Sequence, residues 1–259
     1  MFKKITLVTA MLFATSGAAL AADFNVAANV ANVPFEFEDG QGKLSGFEVE
    51  LLQLVAKRLH KSIEFTPMPF NSLFAAVQSG RANVAIGSIT VTKKRLESVA
   101  FTQPYIDANQ CLTVATKSGI RDLDGLKGKQ VAVVTGTTGE MWATENQTRY
   151  MVAGISRYDS TADPMLDIAT GRIAGLVNDC ANDAYYIRDK PQYTIVTSIP
   201  THEQLALMFP KNSPMLKEVD ATLSKLKQDG EIAKLYRKWF GTLPPQNSST
   251  VTVLPIPQS

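Results

Sequence analysis

Apolar positions along the chain follow two periods. Phe47, Leu51, Leu54, Val55 and Leu59 share one stripe at helical spacing, with Glu48 and Glu50 at its start and Lys57 and Arg58 at its end, the polarity that a helix dipole favours. Ser45 and Glu48 have the spacing of a capping box, and His60 follows as a polar stop. A second stripe, Leu216, Val219, Leu223 and Leu226, is broken by Asp229-Gly230, and a third amphipathic segment runs from Glu231 to Phe240 and stops at Gly241. Asn71, Asp163-Pro164 and Ser213-Pro214 read as further helix starts, with Gly80 and Gly171 closing the first two helices. Short apolar runs bounded by turn residues predict strands from Phe24 and over 63–66, 84–86, 111–115, 130–134, 193–197 and 204–209, and residues 38–42 read as a hairpin turn. Strands alternating with helices place the chain in the α/β class.

Gly80 to Arg95 concentrates the chemistry. Strand 84–86 ends in Gly87-Ser88, Thr92 can cap the next helix, and Ser88, Thr90 and Arg95 then lie beyond the carboxyl end of a strand, where open α/β sheets bind ligands. Arg95 offers a planar fork that matches a carboxylate. The same pattern recurs about ninety residues on: Thr170 to Asp179 overlays Ser79 to Ser88, with Gly-Arg, an apolar strand, then a polar strand end. Two such halves imply one site between two lobes, Ser88 and Thr90 on one wall and Asp179 on the other. Thr135 to Glu140 is a glycine-rich loop that opens a helix and can hold an anion; it lacks the lysine and spacing of a nucleotide loop. The stiff Pro67-Met68-Pro69 corner presents Phe70 either to the core or to a ligand as a flat platform.

The first residues have the layout of a secretory signal: Lys3 and Lys4, an apolar run over 5–13 too short to span a membrane, and Ala19-Leu20-Ala21 before Ala22. Cleavage after Ala21 would remove two lysines and no acid, leaving 24 basic and 24 acidic residues. That neutral balance gives no footprint for nucleic acid or an anionic membrane. Two histidines far apart and two cysteines without ligand spacing imply neither metal nor cofactor. For Cys111 and Cys180, a bridge and two free thiols both remain open.

Gly46-Phe47-Glu48-Val49-Glu50-Leu51 with Val55-Ala56 and Leu59 resembles the signature of the bacterial extracellular solute-binding proteins, family 3, which serve polar amino-acid ABC transporters. Further matches run in order through residues 33–37, Ile89-Thr90-Val91-Thr92 with Arg95, Asp122-Leu123 with residues 126–129, Gly136-Thr137-Thr138, Gly171-Arg172, Asp179 and Lys238-Trp239-Phe240-Gly241. The resemblance implies a two-lobed clamshell of the type II periplasmic-binding-protein kind, each lobe a sheet with flanking helices. Between the leader at 1–21 and a tail at 244–259 whose four prolines and lack of charge make it irregular, the resemblance places lobe one at 22–107 and 204–243, lobe two at 108–203, and crossing strands near 106–110 and 201–205. Arg95 would bind a ligand α-carboxylate with help from Ser88, Thr90 and Thr138, while Asp179 takes the α-ammonium. It sets Cys111 and Cys180 together beside Asp179.

By the same resemblance the chain is a monomeric periplasmic receptor that hands a free amino acid to a membrane permease. The rival is a prephenate or arogenate dehydratase on the same clamshell, which would need a cleft carboxyl with a raised pKa. Asn32 departs from the family where relatives carry the aromatic opposite Phe70, and Asn29 where binders of glutamine and basic amino acids carry an acid. Amides there suit a polar or acidic side chain first, a small neutral one second, and lysine or arginine last.

Overall fold

The computed structural model describes residues 22–259; the leader expected at 1–21 lies outside them. Twelve strands and eight α-helices follow one another in these residues: β1 (Phe24–Ala28), β2 (Phe37–Glu38), β3 (Leu44–Ser45), α1 (Phe47–Leu59), β4 (Ile63–Pro67), α2 (Phe70–Gln78), β5 (Val84–Ile86), α3 (Lys93–Leu96), β6 (Val99–Phe101), β7 (Ile106–Ala115), β8 (Gln130–Val134), α4 (Thr138–Asn146), β9 (Gly154–Tyr158), α5 (Ala162–Ala169), β10 (Gly175–Asp179), α6 (Cys180–Ile187), β11 (Tyr193–Leu205), β12 (Met208–Pro210), α7 (Leu216–Gln228) and α8 (Glu231–Phe240). They build two mixed five-stranded sheets, ordered β4-β1-β5-β12-β6 and β11-β7-β10-β8-β9.

Each sheet is covered on both faces, so the middles of the interior strands β5, β8 and β10 are apolar, with polar residues toward the strand ends. Val26, Ala28, Val84 and Ile86 face α1, α7 and α8, while Ala27 and Ala85 face α2. In the second sheet Val131, Val133 and Val177 pack with Ala143 of α4, and Ala132 and Leu176 with Met165 and Ile168 of α5. The internal repeat has a structural counterpart. Gly80 and Gly171 both take positive φ after a helix, and β5 and β10 each run parallel to a neighbour and end at the gap between the sheets.

The chain crosses between the sheets twice, at the start of β7 and the end of β11. There the two strands pair antiparallel, Ile106 with Leu205, Asp107 with Gln204 and Ala108 with Glu203. The sequence reading divided this region differently. The run expected at 111–115 begins at Ile106, and those expected at 193–197 and 204–209 become one bulged strand to Leu205 followed by short β12, because the ladder between β7 and β11 continues through the crossing.

Four helix starts also differ from expectation. Ser45 does not cap α1. Gly46 does, at φ 135°, where a side chain would strike the Phe35 carbonyl, and the Glu48 N–H goes to that carbonyl. Pro69 rather than Asn71 precedes α2. Asp163 and Pro164 lie inside the first turn of α5, after Thr161, and α7 starts at Leu216, after Met215 rather than Ser213. A reciprocal cap occurs instead at α4: the Thr137 hydroxyl accepts the Glu140 N–H, and the Glu140 carboxylate accepts the Gly136 N–H. Thr92 caps α3 as its sequence predicts, accepting the Arg95 N–H.

Beyond α8 the chain has no helix or strand, yet Ser248, Ser249 and Thr250 are buried. Ser249 donates to the Asp107 carboxylate through both its N–H and its hydroxyl, and the Leu254 N–H donates to Gln103. The buried Lys227 ammonium donates to the carbonyls of Pro104 and Thr252, and desolvation lowers its pKa to about 8. Truncation after Gly241 therefore strips hydrogen-bond partners from Lys227, Asp107 and Gln103. It is expected to lower unfolding free energy by about 2–4 kcal/mol, read as a lower urea midpoint; an unchanged midpoint would show that the tail contributes nothing.

Candidate functional site

The carboxyl ends of β5, β8 and β10 meet across the gap between the sheets. Asn29, Asn32, Phe70, Ser88, Thr90, Arg95, Thr138 and Asp179, the eight residues singled out in the sequence, line one cavity together with Gly87. Gln110, Val134, Thr137, Thr161 and Asn178 complete the lining. The cavity is about 20 Å³, room for no more than a water. An amino acid enters only if the walls part.

Arg95 is held at the centre of one wall by the short α3. Its guanidinium donates to the carbonyl of Thr90 at 2.7 Å and, across the gap, to that of Gly136 at 3.0 Å. The rings of Phe70 and Phe74 lie beneath it at 5.4 and 5.2 Å. Phe70 thus serves the core and the cavity at once, and its flat face carries the arginine. Burial lowers the Arg95 pKa to about 10, with Glu203 and Asp179 opposing that shift, so the side chain stays charged at neutral pH. Gly136, at φ 83°, lets the opposite loop approach to where an added side chain would touch Asn71 and Phe70.

The opposite wall carries Asp179 at the end of β10. Burial chiefly, then the like charge of Glu203, pushes its pKa up to about 8, against a hydrogen bond from Gln110 at 2.5 Å. Asp179 is therefore protonated at neutral pH in the closed cleft. Behind it Asp183, also raised by burial to about 7, accepts hydrogen bonds from Thr113 and Asn178. Cys111 on β7 and Cys180 at the start of α6 are joined by a disulfide, next to Asp179 in sequence and in space.

Asn32 is turned toward the protein. It donates to Glu36 at 2.6 Å and to Ser88 at 3.0 Å, and accepts from Asn182 of the other wall at 2.5 Å. The Ser88 and Gly87 N–H groups both donate to the buried Glu48 carboxylate, which also accepts the Tyr105 hydroxyl. Burial, and after it the adjacent Glu48, holds Glu36 well above the usual carboxylate range.

Sequence reasoning missed Gln110 and Glu203, which lie on the two crossing strands. Gln110 joins Asp179, Thr138 and Glu203, and the Glu203 carboxylate accepts from Thr90 and Thr138, each at 2.7 Å. Each strand carries several polar residues there, Asp107, Asn109 and Gln110 on one and His202, Glu203 and Gln204 on the other, so the sequence does not single these two out.

A deep cleft between two sheets, crossed by a pair of strands and lined by one buried arginine facing one buried aspartate, defines a two-lobed binding protein for a small charged or zwitterionic molecule. The chain belongs to the bacterial extracellular solute-binding proteins, family 3, whose model matches residues 24–242. It is 26% identical over 244 residues to ABC transporter arginine-binding protein 1 of Escherichia coli K12, covering 92% of this chain and 99% of that one. It is 31% identical over 214 residues to the L-cystine-binding protein TcyJ of the same organism, covering 80% and 79%. An ancestral arginine-binding protein solved with bound arginine superposes with a TM-score of 0.80 at 32% identity, covering 84% of this chain and 98% of that one.

Proposed function

We propose that the chain is the receptor of an ABC importer and captures one free amino acid between its two lobes, outside the cytoplasmic membrane. The observation that carries this reading is the opposition of Arg95 and Asp179 across one buried cavity. Arg95 receives the α-carboxylate, with Ser88, Thr90 and Thr138 beside it, and Asp179 receives the α-ammonium. Four or five charge-assisted hydrogen bonds of about 1.5–3 kcal/mol each suffice for a micromolar site after ordering costs. The relatives named above bind arginine or cystine, which supports an amino acid without fixing which one. Around the head-group contacts, Asn29, Thr161 and Asn178 add amides and a hydroxyl, while Asn32 is held by its protein partners. That lining supports the polar ligand placed first from the sequence, with glutamine as its neutral example.

The raised pKa of Asp179 would also suit the proton donor of a dehydratase, but the family is one of binding proteins, and an arriving ammonium would convert Asp179 to carboxylate. A carboxyl raised to about 8 stabilises the ligand-free fold fully below its unfolded pKa, and that contribution is lost as pH rises toward 8. Ligand binding favours the ionised form, so affinity should rise with pH between about 5 and 8, releasing up to about one proton per ligand. Titration calorimetry in buffers of different ionisation enthalpy measures that release; a pH-independent affinity with no proton released would remove Asp179 from the ammonium site.

A mixture of the twenty amino acids should raise the melting temperature and shrink the particle in small-angle scattering, because ligand contacts to both walls stabilise the closed form. An unchanged profile and melting curve would count against capture between the lobes.

A further inference from the structure

Glu203 is half-buried on the crossing strand β11, and its carboxylate is held by neutral donors alone. One oxygen accepts the Thr90 hydroxyl from one wall and the Thr138 hydroxyl from the other, both at 2.7 Å, while the Gln110 amide lies 3.2 and 3.3 Å from its two oxygens. No ion pair among the described residues includes Glu203. The same Gln110 amide reaches Asp179. Glu203 is thus one bond removed from the groups that meet the ligand, and its charge has no cation in contact.

We propose that Glu203 is a specificity-determining residue of the cleft, whose carboxylate grades ligands by net charge, disfavouring acidic amino acids and favouring those with an added positive charge. The proposal rests on the amino-acid reading above. A zwitterion places its carboxylate on Arg95 and its ammonium on Asp179, which leaves Glu203 as the uncompensated charge. Glu203 lies behind the Thr90 and Thr138 hydroxyls of the cavity wall, partly open to solvent, so an added ligand charge feels it without touching it and at a strength that solvent reduces. Selection of this kind works through repulsion as much as through attraction. Glutamate and aspartate, grouped with glutamine from the sequence, should therefore fall behind it.

The test uses the wild-type protein, Glu203→Gln and Glu203→Asp, titrated with two near-isosteric pairs that differ by one charge: glutamine with glutamate, and arginine with citrulline. In Glu203→Gln the carbonyl of the introduced amide can still accept both threonine hydroxyls, so this variant removes the charge and, besides it, only the 3.3 Å contact of the Gln110 amide with the other oxygen. In the wild-type protein the more positive member of each pair should bind more tightly. Glu203→Gln should shrink that ratio about tenfold and Glu203→Asp should preserve it. Ratios within twofold of wild type in Glu203→Gln would overturn the proposal, as would a fall in affinity shared equally by both members. A wild-type protein that binds no amino acid would instead overturn the reading on which the proposal rests.

Discussion

Arg95→Ala is expected to weaken amino-acid binding by about 3–5 kcal/mol, a factor of several hundred or more. A buried ligand carboxylate would lose its one cationic partner, and no other Lys or Arg lines the cavity to replace it. The guanidinium also ties the walls together through the carbonyls of Thr90 and Gly136, so part of the loss belongs to the closed form itself. Arg95→Lys should recover only a fraction, because an ammonium cannot span two acceptors in a plane above two rings. Calorimetry on the variants reads this directly, with far-UV circular dichroism as the control for folding. Near wild-type affinity in Arg95→Ala would take the residue out of the site.

The second large effect concerns the support of the wall rather than its surface. Glu48→Ala should lower unfolding free energy by roughly 3–5 kcal/mol, since it strands the N–H groups of Gly87 and Ser88 and the Tyr105 hydroxyl in the core. In a chain of this size that corresponds to a melting temperature lower by roughly 10 °C. Ser88 has a positive φ of 47° and depends on those hydrogen bonds to keep its turn, so ligand affinity should fall together with stability. A melting temperature within about 3 °C of wild type would refute the role given to Glu48.

Glu48 also illustrates what the sequence could and could not disclose. Its spacing from Ser45 is that of a capping box, and local pattern alone favours that assignment. The competing partner, the turn at Gly87, is 39 residues away, and only the packing of α1 on the first sheet brings it within reach. The same distinction runs through the site. Ser88, Arg95, Thr138 and Asp179 were legible because each sits beside a strand end or helix start with recognisable turn residues. Gln110 and Glu203 sit within strands, where one polar residue among alternating ones carries no mark of the face it occupies. The cap-plus-proline pairs misled for a related reason. Proline is compatible with any position in a first turn, so Pro164 restricts the start of α5 without fixing it. The tail is irregular, as expected, but its docking was not legible, because Ser249 and the carbonyl of Thr252 meet Asp107 and Lys227, partners supplied by distant segments.

Titration of the protein with each of the twenty amino acids is the measurement on which the reading of the cleft depends. The geometry predicts stoichiometric binding of at least one amino acid at micromolar concentration or below, abolished in Arg95→Ala and strongly weakened in Asp179→Asn. Absence of binding across all twenty, or full affinity in both variants, would contradict it.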